Sequence, residues 1–499
     1  MRLSEILKGI KYKGCGRNLA EGLEIGRVTA DSRAVGKGDM FVAFRGYAAD
    51  GYGFIGQAAA KGAGAIVAEK DFDAPGNVAK VLVEDTRKVL PIIADNFYCH
   101  PSEKLKVIGV TGTNGKTTIT YIIESILKRA GEEPGVIGTI NYRLGGRTVP
   151  AKNTTPGPLE LQSMLAEMVK DSSHYAVMEV SSHALDQHRV DSVLYDAAIF
   201  TNITPEHLDY HKTPEEYFNA KAKIFRLLKK GGVAVLNNDD PKVRALKGAI
   251  GGKCVTYGLK EKADMTAKNM RLSIDDSKFD IIPPRGGKFS VKARLIGRHN
   301  VSNILAAAAA CEALGIRREH IKEGIEAMAF VPGRLEGVEC GQPFKVFVDF
   351  AHTEDALYNV LGLLREVSKA RIITVFGCGG NRDKGKRPLM GRAACKLSDH
   401  VIITSDNPRF EDAGAIIDGI VGGVRGEFHN YEIEPDRRKA IEKALSLAEV
   451  GSIVVMAGKG HEGYQIVGDK TLPFDDKEMV KAALRDAKRG SRHCEEPAV

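Results

Sequence analysis

Tryptophan is missing from this chain of 499 residues, and all aromatic residues together make up only 6% of it. No recognised nucleic-acid motif accompanies the net charge of +8, and the basic residues are dispersed rather than striped. A nucleic-acid partner is therefore not expected, and small anionic substrates explain the surplus more simply. No Cys-x-x-Cys pair occurs, and the eight cysteines form no compact framework. Reduced thiols fit that scatter better than disulfides. Long apolar runs are also missing: the longest near a helix, Ile304 to Cys311, falls far short of a bilayer span. The first residues, Met1-Arg-Leu-Ser-Glu-Ile-Leu-Lys8, break their apolar positions with charges and offer no signal-peptide core. The expectation is a cytoplasmic protein without membrane insertion.

A hydrophobic content of 43% beside 27% charged residues is that of a globular protein, and the length suggests three domains. Residues 1–103 alternate short apolar runs with glycines, as in Met40-Phe-Val-Ala-Phe44 and Ala65-Ile-Val-Ala68, and predict a small mixed α/β domain. The polar phrase His100-Pro-Ser-Glu-Lys104 reads as a linker. Residues 104–330 place strand candidates at Val107–Val110, Tyr175–Val180, Ala197–Thr201 and Val233–Leu236, with helical stretches between several of them. That alternation predicts a largely parallel, helix-covered sheet. Residues 331–499 repeat it at Lys345–Asp349, Arg371–Phe376, Val401–Thr404 and Ile453–Met456, predicting a Rossmann-like sheet. From Lys488 onward the sequence reads as a frayed tail.

Between the first central strand and the helix predicted over Lys116 to about Ala130 lies Thr111-Gly-Thr-Asn-Gly-Lys-Thr-Thr118. Glycines there let backbone N–H groups approach phosphate oxygens, and the helix N-terminus adds positive potential. Lys116 can neutralise phosphate charge, and the Thr117 hydroxyl can ligate Mg²⁺. One unit charge pair about 4 Å apart is worth roughly 4 kcal/mol at an effective dielectric near 20, so a single lysine matters. Val110 stands where the strict Walker pattern has glycine. No Asn-Lys-x-Asp motif for reading guanine is present, which leaves a kinase or a ligase. Three downstream residues could complete a metal-assisted site: Glu179 at a strand end, His207 after another strand, and Lys221 on a helix predicted over Glu215–Leu228. Singly, each is more ordinary as a solvated or hydrogen-bonded surface residue, and composition does not distinguish Lys221 from Lys223, Lys229 and Lys230.

Together with the phosphate loop, the segments Asn153-Thr-Thr-Pro156, Glu179-Val-Ser-Ser-His183, Gln187-His-Arg189 and His207-Leu-Asp-Tyr-His211 resemble the Mur ligases. So do Gly297-Arg-His-Asn300 with Asn303, Pro332-Gly-Arg334, Asp349-Phe-Ala-His-Thr353, Asp406-Asn-Pro-Arg409 and Gly458-Lys-Gly-His-Glu462. They occur in order through all three regions. The resemblance implies an ATP-dependent amide-bond ligase of peptidoglycan synthesis, monomeric, acting through an acyl phosphate on UDP-N-acetylmuramoyl-L-alanyl-D-glutamate. It assigns ATP to Gly112, Thr113, Asn114, Gly115, Lys116, Thr117, Thr118, Asn300, Arg334 and Asp349. Mg²⁺ would fall to Thr117, Glu179, His207 and a carboxylated Lys221. The UDP-linked precursor would meet Ser32, Asn153, Thr154, Thr155, Ser181, Gln187 and Arg189.

The same resemblance places the incoming amino acid at Arg382, Asp406, Asn407, Pro408, Arg409, Gly458 and Glu462, and points to meso-2,6-diaminopimelate. That molecule's distal end carries an ammonium and a carboxylate, whereas lysine ends in an ammonium alone. Arg409 and Arg382 can grip a carboxylate as forks, and Asp406 and Glu462 can receive ammonium groups. A lysine-adding or folylpolyglutamate-synthase-like ligase is the alternative, opposed by Arg409 and by Asp31-Ser-Arg33 respectively. A degenerate nucleotide-binding scaffold is opposed by the intact Lys116, Glu179, His207 and Lys221. The chain departs from the family pattern at Glu206, Asn381 and Tyr52, where aspartate, aspartate and a histidine-like residue are usual.

Overall fold

A computed structural model describes residues 1–15, 22–46 and 50–493. Its chain divides into two compact units, one of Met1–Asn269, Phe279–Val291 and Ser302–Ala327, the other of Met270–Lys278, Lys292–Val301 and Met328–Val499. The class is α/β throughout, and no helix among the described residues is long and apolar enough to cross a membrane.

The first unit holds two sheets. The smaller has five strands in the order Lys13–Cys15, Ala79–Leu82, Ala65–Ala68, Met40–Val42, Val28–Thr29, all parallel except the first. Its apolar residues alternate between two clusters, Val42, Val67 and Val81 on one face and Phe41, Ile66 and Ala68 on the other. The larger sheet has eleven strands, built around six parallel ones in the order Gly135–Ile137, Tyr175–Glu179, Lys106–Thr111, Tyr195–Phe200, Leu228–Asn237, Lys253–Gly258. The strand leading into the phosphate loop is therefore flanked by the two strands that lead to Glu179 and His207. Glu179 pairs in register with Val110, and Phe200 with Thr111, so all three chains leave the sheet at one level. Adjacent parallel strands deliver their following loops to one edge, and ligands in such sheets bind there.

The second unit is a six-stranded sheet in the order Glu336–Gly337, Lys345–Asp349, Ile453–Ala457, Ile372–Phe376, His400–Ile403, Tyr431–Ile433, parallel but for its first strand. Helices Glu354–Val367 and Ala413–Val421 bury leucines and isoleucines on one face, joined there by Met390, Ala394 and Cys395 of helix Lys386–Leu397. Helix Arg437–Ser446 covers the other face with Ala440, Ile441 and Ala444.

Three local expectations are corrected. His100–Lys104 is a short helix, Pro101–Lys104, entered from His100 at φ 53. The helix predicted over Glu215–Leu228 is α-helical only over Pro214–Ala222, tightens to 3₁₀ over Lys223–Leu227 and passes straight into a strand. The supposed tail is helical as far as His493, within Asp476–His493, and only 494–499 lie outside the described residues. Lys and Arg are good helix formers, and their polarity was mistaken for lack of structure.

Candidate active site

In the first unit the chain leaves Lys106–Thr111 through Gly112, at φ +137, where a Cβ would lie 1.9 Å from the Thr201 hydroxyl oxygen. Only glycine fits that approach. Thr113 then donates its N–H to Asn202 O at 2.9 Å, and Asn114 donates to Asn202 Oδ1 at 2.9 Å, tying the loop to the neighbouring strand's exit. Gly115, also at positive φ, precedes the helix Lys116–Arg129. Lys116 Nζ folds back onto Gly112 O (2.9 Å) and Thr113 O (2.8 Å). Thr118 is buried in the first turn.

Glu179 is not the solvated strand-end residue that its type suggests. It is 1% exposed, and its carboxylate accepts from the Thr117 hydroxyl at 3.0 Å and from the Thr139 N–H and hydroxyl at 2.8 and 3.0 Å. Thr117 and Glu179 thus meet as an oxygen pair suited to a hard cation. Among the described residues, however, no group of three or more His, Cys, Asp or Glu side chains gathers into a metal-binding cluster. His207 is instead held by rings: His183 at 4.8 Å and Tyr217 at 6.2 Å, centroid to centroid, with Glu206 3.8 Å away. Burial lowers its pKa, and Lys116 and Lys221 reinforce this against Glu206. His183 is pushed down to about 4 by burial and by His207 and His211.

Lys221 is the least ordinary residue of this set. It is 2% exposed, donates to Gly112 O at 2.7 Å and lies 4.6 Å from the centre of the Tyr217 ring. Burial holds its pKa well below the usual lysine range, and Lys116 lowers it further against the pull of Glu206. Tyr217 connects these parts, because its hydroxyl also meets Thr113 Oγ1 and Glu206 Oε2, both at 3.2 Å. The longer Glu206 therefore has a partner, which accounts for one departure from the family pattern. Neither Tyr217 nor Thr139 was singled out by sequence; only the packing of distant loops marks them.

The residues assigned to the UDP-linked precursor form one hydrogen-bonded group, with Asn153 and Ser32 apart. Thr154 meets Thr139 at 3.0 Å, Thr155 donates to Glu179 O at 2.8 Å and accepts from the Ser181 N–H at 3.0 Å. Arg189 donates to Thr155 O at 3.1 Å and to Gln187 Oε1 at 3.0 Å. Asn153 is exposed, its carbonyl accepting from the Tyr142 hydroxyl at 2.6 Å. Ser32 is buried beside Gln57, to which it donates at 2.7 Å.

The second unit presents its own set at the carboxyl ends of its strands. Asp349 is buried and accepts from the Leu335 and Ala351 N–H groups at 2.7 and 2.8 Å; burial raises its pKa while Arg334 opposes the rise. Arg334 lies 5.2 Å from the Phe350 ring centre with its Nε buried and unpaired. Asn300, also buried, donates to Ile296 O at 2.9 Å.

The segment Asp406–Arg409 is stitched to the hairpin Tyr464–Val467/Lys470–Pro473, with Gln465 donating to Asp406 O at 2.6 Å and the Arg409 N–H to Ile466 O at 3.0 Å. Gly380 sits against it so closely that a Cβ would lie 1.9 Å from Pro408 O. Arg409, at φ 54, donates from Nη1 to Gly380 O at 3.0 Å, and the exposed Arg382 flanks Gly379 on the same side. Asn407 donates to Glu462 at 2.9 Å, and the Gly458 N–H donates to Asp349 O at 3.0 Å. Two charged residues here had been given no role. Lys459 is completely buried, and Arg437 pairs with Asp476 at 2.6 Å with neither side chain exposed while donating to Ala457 O at 3.0 Å. Lys459 stood in the quoted Gly-Lys-Gly-His-Glu stretch, directly after an all-apolar strand, which was its available signal.

A phosphate loop backed by a buried carboxylate and a buried lysine, joined in one chain to a Rossmann-like sheet whose strand tips gather opposite charges, defines an ATP-using ligase architecture. Matches to the Mur ligase middle domain over residues 110–311, the Mur ligase glutamate ligase domain over 333–460 and the Mur ligase family catalytic domain over 24–98 agree with it, and the chain belongs to the Mur ligase family. It is similar to the UDP-N-acetylmuramoyl-L-alanyl-D-glutamate--2,6-diaminopimelate ligase of Geobacillus kaustophilus, at 45% identity over 91% of this chain and 94% of the relative. The enzyme of that name numbered 1 in Clostridium acetobutylicum is 44% identical over 97% of this chain and 100% of its own length. A solved structure of a ligase of the same name superposes with a TM-score of 0.68 at 33% identity, covering 93% of this chain and 95% of that one. Folylpolyglutamate synthase from Mycobacterium tuberculosis shares the fold at 18% identity and a TM-score of 0.62, over 74% of this chain and 92% of its own.

Proposed function

We propose that this chain is the ATP-dependent ligase that joins meso-2,6-diaminopimelate to the D-glutamyl γ-carboxylate of UDP-N-acetylmuramoyl-L-alanyl-D-glutamate, as a cytoplasmic monomer. Residues 1–103 bind the uridine end through Ser32, 104–330 activate the carboxylate and 331–499 choose the amine. The observation that carries the reading is the set Arg409, Asp406 and Glu462 in one half-buried recess, with a cation and two anions arranged for a tail bearing both charges.

The first step joins two anions, so its catalysis is chiefly electrostatic. A γ-carboxylate oxygen attacks the terminal phosphorus of ATP, the bond to ADP breaks, and an acyl phosphate results. Lys116 and the N–H groups of Gly115 to Thr118 bind the phosphates, with Gly112, Thr113 and Asn114 shaping the loop; Asn300, Arg334 and Asp349 bind the rest of the nucleotide. Thr155, Ser181, Gln187 and Arg189 orient the acyl donor. The amine nitrogen then attacks the carbonyl carbon, and the tetrahedral intermediate expels phosphate while the nitrogen loses a proton.

Thr117, Glu179, His207 and Lys221 would hold Mg²⁺, which when bound supplies positive charge to the phosphate oxygens. Lys221 suits that task as an N6-carboxylated residue. A lysine whose pKa burial lowers more readily offers an unprotonated amine, which can add to CO₂, forming an N–C bond and releasing one proton, so that a carboxylate stands where an ammonium would. The test is phosphate release with the UDP-linked dipeptide and ATP, offering diaminopimelate, lysine or ornithine. Diaminopimelate alone should support rapid release; equal rates with lysine would refute the assignment.

A further inference from the structure

Lys459 lies wholly out of water, with Nζ 3.5 Å from Asp406 Oδ1, 3.6 Å from Glu462 Oε2 and 3.3 Å from Asn407 Oδ1. Its ammonium also sits 5.8 Å from the Tyr464 ring centre. It follows the strand Ile453–Ala457 by two residues, so the sheet fixes where its backbone leaves the core. Nothing about packing demands a cation there: a methionine would fill the same length without needing partners. Burying an ion is costly unless it is paired, so a fully buried lysine between two carboxylates is a feature to be explained.

We infer that Lys459 is a specificity-determining residue of the amino-acid pocket, setting its charge so that a tail bearing both an ammonium and a carboxylate is accepted and a purely cationic tail is not. This rests on the diaminopimelate reading above. Asp406 and Glu462 supply two negative charges, while Arg409, the neighbouring Arg382 and Lys459 supply three positive ones; Arg437 is cancelled by Asp476. Lys386, hydrogen-bonded to His352 O, adds a further positive charge acting on Asp406. With Lys459 the recess is therefore positive, which suits a zwitterionic tail over a lysine tail; removing Lys459 cuts that excess and with it the penalty against a bare ammonium. Lys459 also holds the two carboxylates together: burial and Asp406 raise the Glu462 pKa, and Lys459 opposes the rise. The lysine therefore acts by positioning Asp406, Asn407 and Glu462 as well as by its own charge, a form of discrimination built on repulsion of the wrong partner.

The experiment compares wild-type enzyme with Lys459→Met and Lys459→Gln in the phosphate-release assay, with diaminopimelate and lysine as competing amines. Methionine keeps the chain length, and glutamine keeps hydrogen-bonding capacity; both remove the charge. The expected result is a rise of about tenfold in KM for diaminopimelate, little change in KM for ATP, and a fall of about tenfold in the diaminopimelate-to-lysine ratio of kcat/KM, in both variants. A loss in the methionine variant that glutamine restores would overturn the charge argument in favour of hydrogen bonding. An unchanged ratio in either folded variant would also overturn it. Wild-type enzyme that fails to prefer diaminopimelate would instead refute the underlying reading, before any variant is compared.

Discussion

Lys221 and Lys459 are both shut away from solvent, at 2% and 0% exposure, yet their surroundings differ completely. Lys221 rests on a carbonyl oxygen and the face of a tyrosine, with another lysine nearby. Lys459 lies between two carboxylates. Burial lowers the Lys221 pKa despite the pull of Glu206, whereas Lys459 has carboxylate oxygens within 3.5 and 3.6 Å of its Nζ. The first site buries a lysine against a carbonyl and a ring; the second buries one between two carboxylates. Residue type and depth alone do not decide what a buried lysine does, and its neighbours do.

The comparison breaks most visibly at Lys221. Lys221→Ala should lower turnover on the order of 10²–10³-fold, the scale for removing a preorganised charge-stabilising group. A short-chain carboxylic acid should partly restore the rate by supplying the missing oxygens. Full activity without rescue would reduce Lys221 to packing. In wild-type enzyme given ¹³C-bicarbonate near neutral pH, a carbamate carbon signal should appear and vanish in Lys221→Ala, because burial lowers the amine's pKa and so favours its unprotonated form. A label persisting in that variant would place the reactive lysine elsewhere.

A smaller loss is expected in the second unit. Arg409→Lys keeps the charge but cannot form the planar fork, so diaminopimelate turnover should fall roughly tenfold to several hundredfold while nucleotide binding is unchanged. Titration of ADP alongside the steady-state assay separates the two. Wild-type turnover in this variant would remove Arg409 from the pocket.

The parts of this site legible in the sequence are those fixed locally. A strand, a glycine-rich turn and a helix follow one another within about twenty residues around Lys116, and the turn chemistry announces itself. The parallel sheets were legible for the same reason, since their strands are continuous apolar runs. Lys221 became conspicuous only through the family resemblance, because its burial needs the phosphate loop at Gly112 to fold over it as well as Tyr217 one turn earlier in its own helix. The hairpin Tyr464–Val467/Lys470–Pro473 escaped notice because its two strands are only four residues each and largely exposed, too short for a period to show. Without that hairpin the backbone partners of Arg409 could not be foreseen. Tyr217, Thr139 and Lys459 matter through contacts with residues far away in sequence, and such contacts leave no local signature.

His461 gives the least dramatic test, and one that concerns stability rather than turnover. Stacked 4.9 Å from Phe350, it is pushed down to about 4 from the ordinary histidine value, chiefly by burial and then by Arg334, Lys477 and His352. A depressed pKa means that the unfolded chain binds this proton more tightly than the native one. Stability from His461 is therefore fully present above about pH 6.5 and is lost as pH falls towards 4. The full shift corresponds to roughly 3–4 kcal/mol, an upper figure because the ring is not wholly buried. Thermal unfolding followed between pH 7 and 4 should show a steeper drop in wild-type protein than in His461→Gln, whose side chain does not titrate. Parallel curves would mean that the proton on His461 is accommodated in the native state, and that the buried ring beside Arg334 is as tolerant of charge as the pocket around Lys459.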